Sequence, residues 1–424
     1  MKENKYDIES SDLRILKEGS ADFYIPAVDD QSIPSKSMEV FYNKIMELNR
    51  DVTNSAINAY FKLFNQKGLV IVDSMAASGI SSIRIIKECE HVKKIFINDI
   101  NPIAVDLIRK NIALNKIDVS AVQIEICEKD ANFLFAEIAQ NSFLNSNSEQ
   151  QKPNVISIDP FGTPSPYVSS AFNAIQRNVG LMCVTATDTA VLFGVRPNAC
   201  IRKYMSKPLH VEYCKEIGAR ILVYFLSRIA NVNKLGIIPL LTFYANHFIR
   251  VFLLTFKDKK KISSFFNNYG YIIHCINCGH RQAFQDNYLH LIEKCPLCCE
   301  REKLSYAGPL WIGDLHEKKF LDELILTNKN SNHNNKKRIE KLLNLALGEL
   351  NMPISYYNIH KLSQKLKTPI VPKIEDILVA IRKKGYKVSR THFDFLSIKT
   401  NMDVKSLSNC LLELCNNIKI MSKE

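Results

Sequence analysis

Leu69-Val-Ile-Val-Asp73-Ser-Met-Ala-Ala-Ser-Gly79-Ile80 is the stretch on which the fold turns. Four apolar residues end on an acid, small residues follow, and a helical pattern begins at Ile80 and runs to Cys89. A short, unbroken apolar run before a glycine-containing turn reads as a strand buried on both faces, as in a parallel sheet. The same plan recurs downstream: Lys94–Ile97 leads to Asp99, Val122–Ile126 to Asp130 and Val155–Ile158 to Asp159, and a fifth run follows at Leu181–Val184. Helical patterns alternate with these runs, which predicts an α/β doubly wound sheet. Gly236–Tyr244 and Phe248–Phe256 flank Ala245-Asn246-His247 and predict an antiparallel hairpin that closes it. Ligands of such sheets bind beyond the carboxyl ends of the strands, so Asp73, Asp99, Asp130 and Asp159 are expected round one crevice.

The chain has 424 residues, 46% of them hydrophobic, enough for two domains with cores of their own. The N-terminus Met1-Lys2-Glu3-Asn4-Lys5 is polar and no run of about 18 apolar residues follows, so a cytoplasmic protein without a membrane partner is expected. Charge is unevenly placed. Residues 1–256 hold 28 Lys and Arg against 26 Asp and Glu, whereas residues 257–424 hold 28 against 17. A boundary near 257 and a polyanion gripped by the C-terminal part fit that asymmetry, although a solvated basic surface explains the charge alone equally well. Asn141–Lys152 reads as a polar, disordered loop, and Asn328–Lys337 as a polar connector between two pieces of the C-terminal region.

The turn Asp73–Gly79 brings backbone close to a ligand at a helix N-terminus, with Asp73 and Gly79 as binding candidates. Neither Gly-Lys-Ser/Thr nor G-x-G-x-x-G is present, which excludes a P-loop and a dinucleotide fingerprint. Rossmann-like methyltransferases hold the methionyl part of S-adenosylmethionine on such a turn. Asp99 would accept the two ribose hydroxyls, or simply cap the helix after Asn101-Pro102. Asp130-Ala131 would face adenine. Asp159-Pro160-Phe161-Gly162 carries the chemistry. An exocyclic amine conjugated to a purine is a poor nucleophile, and two acceptors on its N–H bonds localise its lone pair. Asp159 and the Pro160 carbonyl supply the acceptors, with Asp159 also a possible base, and Phe161 supplies a stacking face.

Cys275-x2-Cys278-x16-Cys295-x2-Cys298 has the spacing of a structural four-thiolate Zn2+ site, with a redox dithiol pair the lesser alternative. His274, His280 and His290 are stand-in ligands, and Cys299 is spare. Trp311 is expected in the core of the domain junction. Asp188 either caps the next helix or touches substrate. Lys373–Leu414 alternates amphipathic helices with Gly385–His392, resembling a winged helix whose Lys383, Lys384, Lys387 and Arg390 would meet phosphate.

From the N-terminus to near Thr400 the chain resembles the tRNA (guanine-26-N2)-dimethyltransferase family. The matching blocks are Val40–Asn43, Leu48–Asp51, Ala77–Ile80, Asn98–Ile100, Asp159–Gly162, Val184–Asp188, Cys200–Tyr204, Gly308–Trp311 and Arg390–Phe393. The resemblance implies a class I methyltransferase domain over 1–256, with 1–66 closing over the cofactor. A smaller α+β, zinc-bearing, tRNA-binding domain is expected over 257–424, with the zinc module read from the cysteine spacing at 270–305 and the winged-helix-like part at 338–424. Phe41, Arg50, Asp99, Asp130 and Ala131 are then cofactor contacts, Asp159 lies in the catalytic pocket, and Arg390, His392 and Lys387 contact RNA. Ser81 stands where many relatives carry a cofactor-binding arginine, and Arg84 is kept. The implied activity is S-adenosylmethionine-dependent methylation of guanine N2 at position 26 of tRNA, with tRNA the partner and no protein partner implied. A non-catalytic tRNA-binding or folding module and an amino-methyltransferase of another nucleic acid are the alternatives.

Overall fold

The computed structural model describes residues 13–27, 38–118, 120–144, 152–285 and 292–421. A hairpin of β1 (Leu13–Glu18) and β2 (Ala21–Pro26) precedes helix α1 (Glu47–Leu63). Strand–helix units follow in sequence: β3 (Leu69–Asp73), α2 (Ile80–Glu88), β4 (Val92–Asp99), α3 (Pro102–Leu114), β5 (Gln123–Glu128), α4 (Ala131–Leu144), β6 (Val155–Ile158), α5 (Val168–Ala174) and β7 (Leu181–Ala186). After α6 (Thr189–Leu192), α7 (Pro197–Tyr204) and α8 (Cys214–Val232), the hairpin of β8 (Gly236–Ala245) and β9 (Phe248–Phe256) completes one sheet.

The sheet order is β5-β4-β3-β6-β7-β9-β8. Pairings among β3 to β7 are parallel and β9 is antiparallel to both neighbours, as the hairpin reading requires. The buried runs explain the order. Every residue of β6 and β7 is buried, so neither strand tolerates an edge position, and each fully buried Val, Ile or Leu contributes about 1.5–3 kcal/mol. The chain leaves β3 outward to β4 and β5, then returns to β6. The switch point between β3 and β6 is therefore where a ligand crevice opens. One expectation is corrected: α4 continues to Leu144, because Phe135 and Ile138 pack into the core and carry the helix past Asn141. Residues 145–151 of that stretch lie outside the described residues.

Past α9 (Lys259–Ser264), β10 (Tyr269–Cys275), β11 (Arg281–Phe284) and β12 (Leu304–Trp311) form a small antiparallel sheet. Packing crosses residue 257 in two places. Ile272, Ala307, Leu310 and Trp311 share an apolar cluster with Leu222 and Leu226 of α8. Phe320, Leu321 and Leu324 of α10 (Lys318–Asn330) and Ile339, Leu343 and Ala346 of α11 (Lys336–Gly348) join Leu48, Val52, Ile57 and Tyr60 of α1. The last segment has a core of its own, built from Ile359, Ile377, Ile381, Ile398 and Leu407 round the order β13 (Tyr357–Asn358), β15 (Ser397–Thr400), β14 (Val388–Arg390). Trp311 is buried, its Nε1 donating to the Asp314 carbonyl at 2.9 Å. Among the described residues no helix is long and apolar enough to cross a membrane.

Candidate active site

A cleft opens over the carboxyl ends of β3, β4 and β6, in two connected chambers that share Phe41, Met75, Ala77, Asp159, Pro160 and Phe161. One chamber is lined by Asp99, Ile100, Asp130 and Ala131. The other, of about 280 Å³, is lined by Asn49, Arg50, Thr53, Asp73, Ser81, Thr187, His247 and Arg250. The four carboxylates read from the strand ends thus face one space, together with the loop after β3. Gly79, the Ile80 helix's N-cap, has φ +76°, and a Cβ there would lie 3.0 Å from Ile108. Both facts require glycine and keep the loop pressed against α3.

Each acid has defined hydrogen-bond partners. Asp73 is buried and accepts from Ser82 Oγ at 2.6 Å. Burial pushes its carboxyl up to about 6, against the Ser82 hydrogen bond, and the charge of Asp159 adds to the rise. Asp99 accepts from the N–H groups of Ala77 at 2.8 Å and Asn101 at 2.9 Å. Burial still raises its carboxyl above the usual range, and two bonds leave a carboxylate with lone pairs for a ligand. Asp130 accepts from the Asn132 N–H at 2.9 Å at the start of α4, where Ala131 is buried.

Asp159 follows β6 directly and accepts from Asn49 Nδ2 at 3.1 Å. Its turn is braced on the exit of β7: the Gly162 N–H donates to Thr187 Oγ1 at 2.7 Å, and the Thr187 N–H to the Gly162 carbonyl at 2.9 Å. No backbone hydrogen bond among the described residues uses the Pro160 carbonyl. Phe161 is 48% exposed and meets Phe41 edge to face, with ring centroids 4.3 Å apart. An exposed ring at a cleft mouth has a face left for a planar ligand.

Arg50 lines the cleft and donates twice to Glu18, Nε to Oε1 and Nη2 to Oε2, both at 2.6 Å. Glu18 also pairs with Arg84 at 2.8 Å, and Arg84 reaches Asp51 at 2.5 Å and Glu88 at 2.9 Å. Burial alone would raise the Glu18 carboxyl, but the Arg50 and Arg84 guanidinium groups hold it below its ordinary value. This network pins the N-terminal hairpin to α1 and α2, so Arg84 is structural. Ser81 lines the cleft, while Ser82, its neighbour, holds Asp73.

Sequence reasoning missed Asn49, Thr53 and Arg250. Arg250 is 1% exposed and donates to Thr185 Oγ1 at 2.7 Å, Thr53 Oγ1 at 3.0 Å and Ser157 Oγ at 3.3 Å, with no carboxylate bridging it among the described residues. Its charge faces the carboxylates of the cleft and lowers Asp73 against the burial effect. A lone arginine inside Phe248–Phe256, an otherwise apolar strand, was the available signal.

The four cysteines converge: one sulfur from each lies within 4.8 Å of the others, with Cys275 to Cys298 and Cys278 to Cys295 both 3.7 Å. A tetrahedron with bonds of about 2.3 Å to zinc has edges of roughly 3.8 Å, so the donor set fits that ion. The Gly279 N–H to Cys275 carbonyl and Cys299 N–H to Cys295 carbonyl bonds, 2.8 and 2.9 Å, shape the two turns. Cys299 points out to solvent, and His274 is engaged with Tyr213 at 3.2 Å. The His280 N–H donates to Cys278 Sγ at 3.4 Å. His290 lies outside the described residues.

Of the expected RNA contacts, Lys387 is exposed and Arg390 partly so, the latter donating to the Phe395 carbonyl at 3.0 Å. His392 corrects the expectation. It is buried beneath Glu349, Nδ1 to Oε1 2.6 Å, with the Lys399 ammonium 3.6 Å from the same carboxylate, and cannot reach RNA in this fold. Asp188 is at the N-cap of α6 but makes no capping bond there. It accepts instead from Tyr204 Oη at 2.6 Å and Lys203 Nζ at 3.1 Å.

A parallel sheet closed by one reversed strand, with acids at its carboxyl ends and a small-residue turn at the switch point, defines a Rossmann-like methyltransferase fold. A family model described as N2,N2-dimethylguanosine tRNA methyltransferase matches residues 19–412. The chain belongs to that family. It is 36% identical over 403 residues to the tRNA (guanine(26)-N(2))-dimethyltransferase of Methanosphaera stadtmanae, covering 95% of this chain and 97% of the relative. The enzyme of the same name from Methanothermobacter thermautotrophicus is 35% identical, covering 94% and 98%. Trm1 from Pyrococcus horikoshii, solved in complex with S-adenosyl-L-methionine, aligns with a TM-score of 0.78 at 30% identity, over 94% of this chain and all of that one.

Proposed function

We infer that this chain methylates the exocyclic N2 of guanine 26 in tRNA, in two successive rounds, with S-adenosylmethionine as donor. One observation carries the reading: the loop after β3, Asp99 and Asp159 line a single cleft with Phe41 and Phe161 at its mouth. The small-residue turn with Gly79 fits the methionyl part, Asp99 the ribose hydroxyls, Asp130 and Ala131 the adenine edge, and Phe41, Arg50 and Asp73 the space between. When bound, S-adenosylmethionine supplies a methyl group on a positive sulfur. In the first round Asp159 and the Pro160 carbonyl accept the two N–H bonds of the guanine amine, turning its lone pair toward that methyl, in the second Asp159 accepts the one N–H that remains, and Phe161 holds the base flat. The N–C bond forms as the C–S bond breaks, and the proton leaves to Asp159.

The basic C-terminal region supports the RNA, with Lys387 and Arg390 on its surface, and the four thiolates hold a structural Zn2+ that fixes the turns of 270–305. Asp159→Ala tests the central role. Cofactor binding is expected to survive while methylated guanosine disappears from digests of incubated tRNA. Undiminished methylation would remove Asp159 from the mechanism.

A further inference from the structure

Between Asp188 and Glu212 the sequence holds Arg196, Arg202, Lys203 and Lys207 and no acidic residue. The segment from Gly194 to Met205, which contains α7, is anchored in the core by Cys200 and Tyr204 and turns its other side to solvent. Val195 is 60% exposed, Ile201 48% and Met205 52%, an apolar set on the surface of a small element. Arg196 and Arg202 lie exposed among them, and neither side chain has a hydrogen-bond or ion-pair partner among the described residues. Three apolar side chains lie about half in water beside two unpaired guanidinium groups. They fit a partner that is anionic along its backbone and flat and apolar within.

The segment is mounted on the catalytic turn. Thr187 lines the cleft and exchanges two hydrogen bonds with Gly162, and the adjacent Asp188 accepts from Tyr204 and Lys203 of α7. At its other end Gly194, φ +85°, would place a Cβ 2.8 Å from the His210 N–H nitrogen, and His210 Nδ1 lies 2.9 Å from the Phe193 carbonyl. Met205 adopts φ +54°, a conformation uncommon for a residue with a side chain, which turns the chain sharply at the end of α7. The segment is thus tied at both ends, and through Asp188 and Thr187 to the turn that carries Asp159.

We propose that Gly194–Met205 is the wedge that enters the RNA stack and fills the space vacated by the target guanine, while Arg196 and Arg202 grip the flanking phosphates. This rests on the methyl-transfer reading. A stacked base has to leave its neighbours to reach Asp159, and an apolar side chain in the gap keeps it out. Ile201 and Met205 are the inserted groups. They are positioning residues that touch the RNA neighbours of the target rather than the reacting atoms.

The test compares full-length wild type with the double variants Ile201→Ser/Met205→Ser and Arg196→Ala/Arg202→Ala in single-turnover methylation, with cofactor titration certifying each fold. Two tRNA transcripts are used, one native and one with the pairs flanking the target guanine mismatched so that the base is already unstacked. The apolar variant is expected to be about tenfold slower on the native transcript and close to wild type on the mismatched one. The arginine variant is expected to bind both transcripts more weakly, with a salt slope smaller by about 1–2. Wild-type behaviour of both variants on native tRNA, or equal slowing of the apolar variant on both transcripts, would overturn the wedge. Failure of the wild type to methylate either transcript would instead overturn the reading beneath it.

Discussion

Asn49, on α1, donates from Nδ2 to Asp159 Oδ2 at 3.1 Å across 110 positions of sequence, and the same amide lies 3.4 Å from Thr185 Oγ1, which also receives Arg250. A chain Arg250–Thr185–Asn49–Asp159 therefore fixes the rotamer of Asp159, the acid proposed to accept from the guanine amine. Removing one hydrogen bond to a charged group costs about 1.5–3 kcal/mol. Asn49→Ala is accordingly expected to lower the single-turnover rate by one to two orders of magnitude while leaving cofactor affinity within about twofold. A rate equal to wild type would mean that Asp159 is oriented by other means.

The ion network round Glu18 makes a different prediction. Arg84 is fully buried and faces Glu18, Asp51 and Glu88. Arg84→Met leaves those carboxylates without their shared cation, and breaking a buried pair in this way costs about 3–5 kcal/mol. The thermal midpoint should fall sharply. Glu18→Gln is expected to be milder in the melt but to weaken cofactor binding, because Arg50 loses the partner that aims it. If Arg84→Met melts with wild type, the network is not the clamp that joins hairpin to core.

Those two relationships mark the limit of what the sequence carries. The sheet was legible because buried parallel strands must be continuous apolar runs, and an acid at the end of each is a local pattern. The DPFG turn and the paired Cys-x2-Cys motifs were legible because their chemistry lies within four residues. Asn49 and Arg250 were not, since their meaning depends on α1 packing against the sheet where Arg250 of β9 reaches Thr53, Thr185 and Ser157, a long-range fact. The packing of α10 and α11 on α1 was hidden for the same reason: an amphipathic stripe declares that it is buried but not against what. His392 was misread because its place in the family block Arg390–Phe393 suggested a contact with RNA, whereas Glu349 and Lys399 give it a buried network.

Asp73 is expected to carry the pH dependence of cofactor binding. Its carboxyl, pushed up to about 6 by burial, is ionised at neutral pH and protonated a little below it. S-adenosylmethionine is cationic at sulfur and at its amino group, so the charged form of Asp73 is expected to favour its binding. Cofactor affinity is expected to be flat above about pH 7 and to fall by up to about tenfold per unit below pH 6. Asp73→Asn should flatten that profile while weakening binding at neutral pH. Titration of cofactor by calorimetry between pH 5 and 8 checks it, and an unchanged slope in the variant would assign the dependence to another group.

Zinc is the last prediction, and it separates a structural metal from a catalytic one. The thiolate cluster joins β10 and the turn before β12, and β12 reaches Leu310 and Trp311 in the core shared with α8. The cleft residues come from residues 38–46, α1 and the stretch from β3 to β9, none of them within the cysteine turns. Purified protein is expected to hold about one zinc per chain by metal analysis, since a four-thiolate site takes one ion. Cys295→Ser should lose it, lower the thermal midpoint and weaken binding of tRNA. Affinity for S-adenosylmethionine should change little, because the Rossmann-like sheet does not depend on the metal for its order. A metal-free protein with an unaltered melt would show that the four sulfurs converge for some purpose other than zinc, and equal losses in cofactor and tRNA binding would show that the two halves fold as one unit.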